Sequence, residues 1–446
     1  MQLPNRCSVT NQTGNKDASY STSTQKTARS RSLFFIWFAA NLTIGDFALG
    51  FIPAEEGLSI KFGILAFVLG TILGGILLAF MSGIGPRFRK PQMELSNGPF
   101  RRVGSSIMAV LQWGNTLGWL TVNLVLSAIF LSFIAGPAFD GPILIVIAAV
   151  VFLIVYFGHE AVKFLETVLS VVLAGLFIFI TFRLITGHFT PATLTLSVPF
   201  YAAFGVTLAS SFSYIMSWGP YASDYSRFVE EKHATRRTFA YTLAGASISC
   251  IWIEVLGMYV AIYSGSISGN PGSDLAVITG SASFIGALAL GLGGVAANAV
   301  NLYSNSSTLK TLVKKLGYRT SLVPGFLISI GLGFVGLRNF YGFYETFLLI
   351  LDYWITPWLG VLIAHYFLMP GYSEMAHRRA FGMVSYLIGI AVSVPFMNPG
   401  AYFEGPVAVY FSGMDVSYFV SFLVAMLLYV ALSRAVSPRE SAAAGS

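Results

Sequence analysis

Twelve apolar segments, each long enough to cross a bilayer as a helix, recur along this chain with short polar loops between them. A spanning helix needs roughly 20 largely apolar residues, because no backbone group can be left unpaired in hydrocarbon. The segments fall at about 33–53, 60–82, 106–134, 141–157, 163–186, 198–220, 239–264, 275–305, 321–337, 343–368, 381–397 and 407–433. None alternates with the two-residue period of a lipid-facing strand, which argues against an outer-membrane barrel. Only 10% of the 446 residues are charged, too few to cover the surface of a soluble protein of this size. The expectation is one all-α polytopic membrane domain at 33–433, flanked by a tail at 1–32 and another at 434–446.

The basic residues fix an orientation. A net charge of +7 would suit nucleic acid, but the Lys and Arg residues cluster in loops between apolar runs. With the N-terminus inside and twelve helices, 23 of the 26 fall on the inner side, leaving Lys61, Arg183 and Arg338 outside. Both termini are therefore expected in the cytoplasm, with the chain in the plasma or inner membrane and no nucleic-acid partner. Residues 1–32 are rich in Ser, Thr, Asn and Gln and lack the apolar core of a signal peptide, which reads as a disordered tail. The two cysteines form neither a disulfide framework nor a metal-ligand spacing. No Walker-type loop, HExxH, CxxC or Ser–His–Asp order occurs, so neither an enzyme nor direct ATP drive is expected, and no cofactor.

Two segments are interrupted. The first reads AANLTIGDFALGFIP, with Gly45, Asp46 and Gly50 expected at mid-depth. The sixth reads SYIMSWGPYASDYSRF, with Ser217, Gly219 and Pro220 near its inner half. Pro220 cannot donate a backbone bond and Gly219 tolerates non-helical angles. Either interruption alone reads equally as an ordinary kink. Five helices apart, they occupy corresponding positions of two halves, which points to an inverted-repeat transporter with its site at the midplane.

Three further features suit a flat polar ligand. In WGNTLGWLTVN, Trp119 and Asn123 are four apart and share a helix face. A planar heterocycle stacks on one and hydrogen-bonds the other, although packing bulk and interhelical glue explain the pair equally well. In AANAVNLYSNSS, Asn298 and Asn301 again share a face inside an apolar run, either for a ligand or for hydrogen bonding between helices. Asp46, Glu254, Asp352 and His365 are ionisable groups within or near spans, a functional expectation by default. Asp46, at a break that water and substrate would reach, is the leading candidate for proton exchange; Glu254 and Asp352 read equally as structural pairs.

Together the motifs AANLTIGDFALG (39–50), PQMELSNGPF (91–100), NTLGWLTVN (115–123), SWGPYASDYSRF (217–228) and ANAVNLYS (297–304) resemble the nucleobase:cation symporter family, in its purine–cytosine permease branch. The resemblance covers about 33–370. It implies a LeuT-like fold, with inverted five-helix repeats at 33–186 and 198–368, discontinuous helices 1 and 6, and two C-terminal helices at 381–433. It implies uptake of cytosine, purines, uracil, allantoin, hydantoins or vitamins with Na⁺ or H⁺, the ring held between a third-helix Trp and a sixth-helix aromatic. Trp119 matches the first, Asn123 the amide after it, and Asn298 the eighth-helix Asn, with Asn301 beside it. The sixth-helix partner falls at about Ile215, so Tyr214 is favoured over Trp218, with Ser217 at the ring's polar edge.

The family's Na⁺ site would use carbonyls at about Ala40 and Thr43, and hydroxyls at about Leu292 and Gly293. Here the run FIGALALGLGGVAA, from Phe284 to Ala297, carries no side-chain oxygen. A hard cation wants several oxygen ligands, so H⁺ coupling through Asp46 is expected and the Na⁺ site is at most vestigial. The expected function is a monomeric proton-coupled symporter of a nucleobase-like ring. The alternatives are a Na⁺-coupled symporter of another small solute (allantoin or hydantoin, a vitamin or an amino acid), a non-transporting sensor, and a channel.

Overall fold

The computed structural model describes residues 29–157, 159–264, 271–313, 315–369, 380–400 and 403–443. Residues 1–28 of the expected tail lie outside them. Among the described residues the fold is helical, with no β-strand. Eight helices among these residues are long and apolar enough to cross a membrane, nine if the bent pair at the start counts as one span.

That bent pair is α1 (Ser32–Ala40) followed by α2 (Ile44–Leu49) and α3 (Ile52–Glu55), with a bend of 58°. The break sits at Asn41–Thr43 rather than at Gly45 and Asp46, which are helical. The Asn41 amide donates to the Trp37 carbonyl at 2.7 Å, and extended Thr43 accepts from the Asp46 N–H at 3.1 Å. Each end left by the break is capped by a side chain, as freed helix termini require.

Long α4 (Ile60–Phe88) and short α5 (Gln92–Leu95) lead into α6 (Asn97–Ala135), which kinks at Arg101 (φ 58°). Then come α7 (Asp140–Tyr156) and α8 (His159–Thr186). In the sixth segment α9 (Phe200–Met216) tightens into a 3₁₀ turn at Gly219–Tyr221 before α10 (Ala222–Ser226). Ser217 and Trp218 keep right-handed helical angles, so this interruption is milder than the first.

The chain continues through α11 (Ala234–Tyr263), α12 (Pro271–Thr279), α13 (Ser283–Leu312), α14 (Tyr318–Gly336) and α15 (Phe340–Ile363). It ends in α16 (Phe381–Ser393), α17 (Pro406–Tyr410) and α18 (Ser417–Ala443). Two expected segments are divided. Gly280, at φ +58°, turns the chain between α12 and α13, and a turn at 411–413 separates α17 from α18.

Besides the cluster of α15, α16 and α18, the helices sort into two packed groups. In one, α4 lies along α9, α10 and α11, and α11 also carries α1 and α2. Glycines make these contacts close. A Cβ at Gly74 would stand 2.6 Å from the Ile215 side chain, and one at Gly257 would collide with the Phe47 carbonyl of α2. In the other, α13 packs along α6, α7, α8 and α14. Just before α1, Ser30 is 2% exposed and its hydroxyl donates to Glu231 at 2.6 Å, tying the last tail residues to the loop before α11.

Candidate functional site

Between the two groups lies a cavity of about 300 Å³. Its lining residues on α13 recur as Gly293, Ala297, Val300, Asn301 and Ser304, one stripe at helical spacing. Facing that stripe are Trp37 and Ala40 of α1, and Leu42 and Thr43 of the break. Trp119 and Asn123 of α6, with Tyr214, Ser217 and Trp218 at the end of α9, complete the polar and aromatic wall. Asn301, Ser304 and α1 place the cavity toward the ends of the helices that carry the basic loops.

Trp119 is braced from three sides. Its ring meets Tyr214 at 5.4 Å and Phe347 at 5.2 Å, both nearly perpendicular, and Tyr344 at 6.2 Å. Such edge contacts each contribute about 0.5–1.5 kcal/mol beyond burial and fix the indole's orientation. One turn on, the Asn123 amide also lines the cavity, 5% exposed. Neither it nor the Asn301 amide is spent on a hydrogen bond among the described residues, so both are open to a ligand's polar edge.

The two interruptions are joined across the cavity. Thr43 and Tyr214 hydroxyls lie 2.7 Å apart, and the Trp218 indole N–H donates to Asn41 at 3.0 Å. Trp218 also meets Trp37 edge-on at 5.9 Å, and Trp37 meets Tyr225 at 5.5 Å. The Ser217 hydroxyl donates to the Tyr214 carbonyl at 2.7 Å, which commits its proton but leaves its oxygen free to accept.

Two candidates stand apart from the cavity. Asn298 is fully buried among Leu120, Leu124, Ala148, Val151, Phe326 and Ser329, with both amide atoms unpartnered. Asp46 is also fully buried and not part of the cavity wall, whereas the break was expected to expose it to water and substrate. Its carboxyl oxygens make no hydrogen bond of good geometry; the Cys250 thiol lies against them and Glu254 is within electrostatic reach. The capping of the break explains the difference, because it moves the opening to Asn41–Thr43 and leaves Asp46 inside α2.

Ala40 and Thr43 do line the cavity, and what α13 sets opposite them is Gly293, Ala296 and Ala297. Leu292 faces outward at 38% exposure. His365 bonds Tyr429 at 2.7 Å, and Asp352 is buried near Ser213 and Asp415; neither reaches the cavity.

Several contributors are not visible in the sequence. The Tyr344 hydroxyl donates to the Gly45 carbonyl at 3.1 Å, and Phe347 of the same helix braces Trp119. Thr71 and Ser211, on helices far away in sequence, meet Glu254 at 2.9 Å and 2.7 Å. Only Ser304 had a legible signal, three residues after Asn301 on the same stripe.

An apolar helical bundle with an aromatic and amide-lined cavity of small-molecule size fits a permease. The comparisons specify which. The profile of a family described as "Permease for cytosine/purines, uracil, thiamine, allantoin" matches residues 20–421. The chain belongs to that family. It is 28% identical to the putative purine-cytosine permease YxlA of Bacillus subtilis (strain 168), over 94% of this chain and 95% of that one. Mhp1 in its inward-facing conformation shares the fold with a TM-score of 0.70 at 16% identity, over 92% of this chain and 90% of that one. Mhp1, described as a nucleobase-cation-symport-1 family transporter, closed with bromovinylhydantoin bound, gives 0.69 at 18% identity, over 93% and 94%. These relatives are transporters, not enzymes.

Proposed function

We propose that this chain is a secondary active symporter that imports a planar nucleobase-like heterocycle by alternating access, coupled to protons. The observation that carries the reading is a braced Trp119 beside two uncommitted amides, Asn123 and Asn301, on one small cavity. A flat ring stacks on the indole while its polar edge exchanges donors and acceptors with the amides. YxlA is named for purines and cytosine, and Mhp1 was captured with a hydantoin, both flat polar rings.

The architecture we read is twelve spans in a LeuT-like inverted repeat. The eight long helices and the bent first pair are joined by Asp140–Tyr156, Phe381–Phe396 and the interrupted α9–α10 segment. With both termini cytoplasmic in the plasma or inner membrane, the cavity lies on the cytoplasmic side. The loaded state is then released by movement of α1 and α10 relative to α13, and α15, through Tyr344 and Phe347, covers the opposite face.

Proton coupling is supported by what faces the first break. Gly293, Ala296 and Ala297 of α13 offer no side-chain oxygen to a cation held at Ala40 and Thr43. Asp46 supplies a titratable group buried behind the break. The test is uptake of cytosine, hypoxanthine and related rings by proteoliposomes. An acid-outside gradient without Na⁺ drives accumulation on this reading; accumulation that requires Na⁺ and ignores the pH gradient overturns it.

A further inference from the structure

Away from the cavity wall, Glu254 of α11 meets Thr71 of α4 and Ser211 of α9, all fully buried. Three oxygen–oxygen contacts close a ring: Thr71 Oγ1 to Glu254 Oε2 at 2.9 Å, Ser211 Oγ to Glu254 Oε1 at 2.7 Å, and Thr71 Oγ1 to Ser211 Oγ at 2.8 Å. Each of these is a hydrogen-bonding distance and requires one proton between its oxygens. The two hydroxyls carry one proton each, and an ionised carboxylate carries none. Two protons cannot occupy three contacts.

A proton on Glu254 Oε1 removes the deficit. Glu254 then donates to Ser211, Ser211 donates to Thr71, and Thr71 donates back to Glu254 Oε2, so every polar atom of the ring is satisfied. The surroundings agree with a neutral acid. Asp46 of α2, Cys250 one turn earlier on α11 and Tyr344 of α15 are the titratable groups within reach. Among the described residues no cation pairs with either carboxyl; the three salt bridges all involve other carboxylates, at Glu230, Glu94 and Glu231. An unpaired charge there would be strongly disfavoured by desolvation.

We propose that Glu254 is a second proton-carrying carboxyl of this transporter, holding its proton in the conformation seen here within the Thr71–Ser211 ring. This rests on the proton-coupled reading above. Because the ring joins α4, α9 and α11 beside α2, loss of the proton removes a bond between helices that flank the interrupted spans, coupling occupancy to their packing.

Infrared difference spectroscopy of the intact protein tests the proton directly. The expected result is a protonated-carboxyl band that shifts in D₂O, vanishes in Glu254→Gln and persists in Asp46→Asn. A spectrum whose every protonated-carboxyl band is retained in Glu254→Gln overturns the proposal. In proteoliposomes Glu254→Gln, whose amide can both donate and accept in the ring, keeps substrate exchange and loses pH-driven accumulation. Wild-type accumulation and pH dependence in that variant also overturn it. Should Glu254→Gln fail to fold, Ser211→Ala replaces it: the band must shift if Ser211 accepts the proton, and an unmoved band contradicts the ring. A wild-type protein that never responds to pH would instead defeat the coupling reading, which separates the two failures.

Discussion

The Thr43 and Tyr214 hydroxyls, 171 residues apart in sequence, lie 2.7 Å from each other where the first helix breaks and the ninth ends. Thr43 also caps α2. One side chain therefore both ends the break and ties it to the sixth span. Thr43→Val removes cap and tie together, an expected loss of about 1–3 kcal/mol. Tyr214→Phe removes the tie alone, about 0.5–1.5 kcal/mol. Thermal unfolding in detergent should rank Thr43→Val as the more damaging. The double variant should lose less than the sum, because both changes delete the same bond.

Asn298 and Asn301 make opposite predictions. Asn301 lines the cavity, so Asn301→Leu should weaken substrate binding about tenfold or more, the equivalent of ~1.4 kcal/mol. Asn298 is buried with both amide atoms unpartnered. Asn298→Leu removes an unsatisfied polar group and should leave KM unchanged, with stability equal or higher. Uptake kinetics of the two variants, side by side, check this.

Why the sequence could not separate these two amides is a matter of helix rotation. Three residues apart, they sit about 60° from each other around α13, and either could face a ligand. The rotation is set by Gly291 and Gly294, whose missing side chains let α13 settle onto Leu131 and Ser127 of α6, turning Asn298 into that contact and Asn301 to the cavity. Trp119 and Asn123, four apart, were legible because both fall on one face whatever the rotation. The apolar segments were legible for the same local reason. The break position was displaced because Asn and Thr caps, not glycines, terminate the helices there, and the turn at Gly280 is invisible inside a continuous apolar run. Thr71, Ser211 and Glu254 meet only after three distant helices pack, which no local pattern encodes.

Close backbone packing gives a stability prediction with its own control. Gly257→Ala would push a methyl group into the Phe47 carbonyl, and overpacking of this kind costs about 1–3 kcal/mol. Gly331→Ala, where nothing lies within 4 Å, should be neutral or stabilising by up to about 1 kcal/mol. Unfolding midpoints of the two variants should move apart.

Asp46 touches the coupling claim without touching the ligand. Asp46→Asn should bind substrate with near-normal affinity, since the carboxyl does not line the cavity. It should also fail to concentrate substrate under an acid-outside gradient. Normal concentrative uptake by this variant would remove Asp46 from the mechanism.

The most direct test of the central claim is thermal-shift binding of the purified protein against nucleobases, ureides and ring-bearing vitamins, with and without Na⁺. The account predicts stabilisation by a planar heterocycle, unchanged by Na⁺ and abolished in Trp119→Ala. Stabilisation that survives Trp119→Ala, or none by any planar ring, would contradict it.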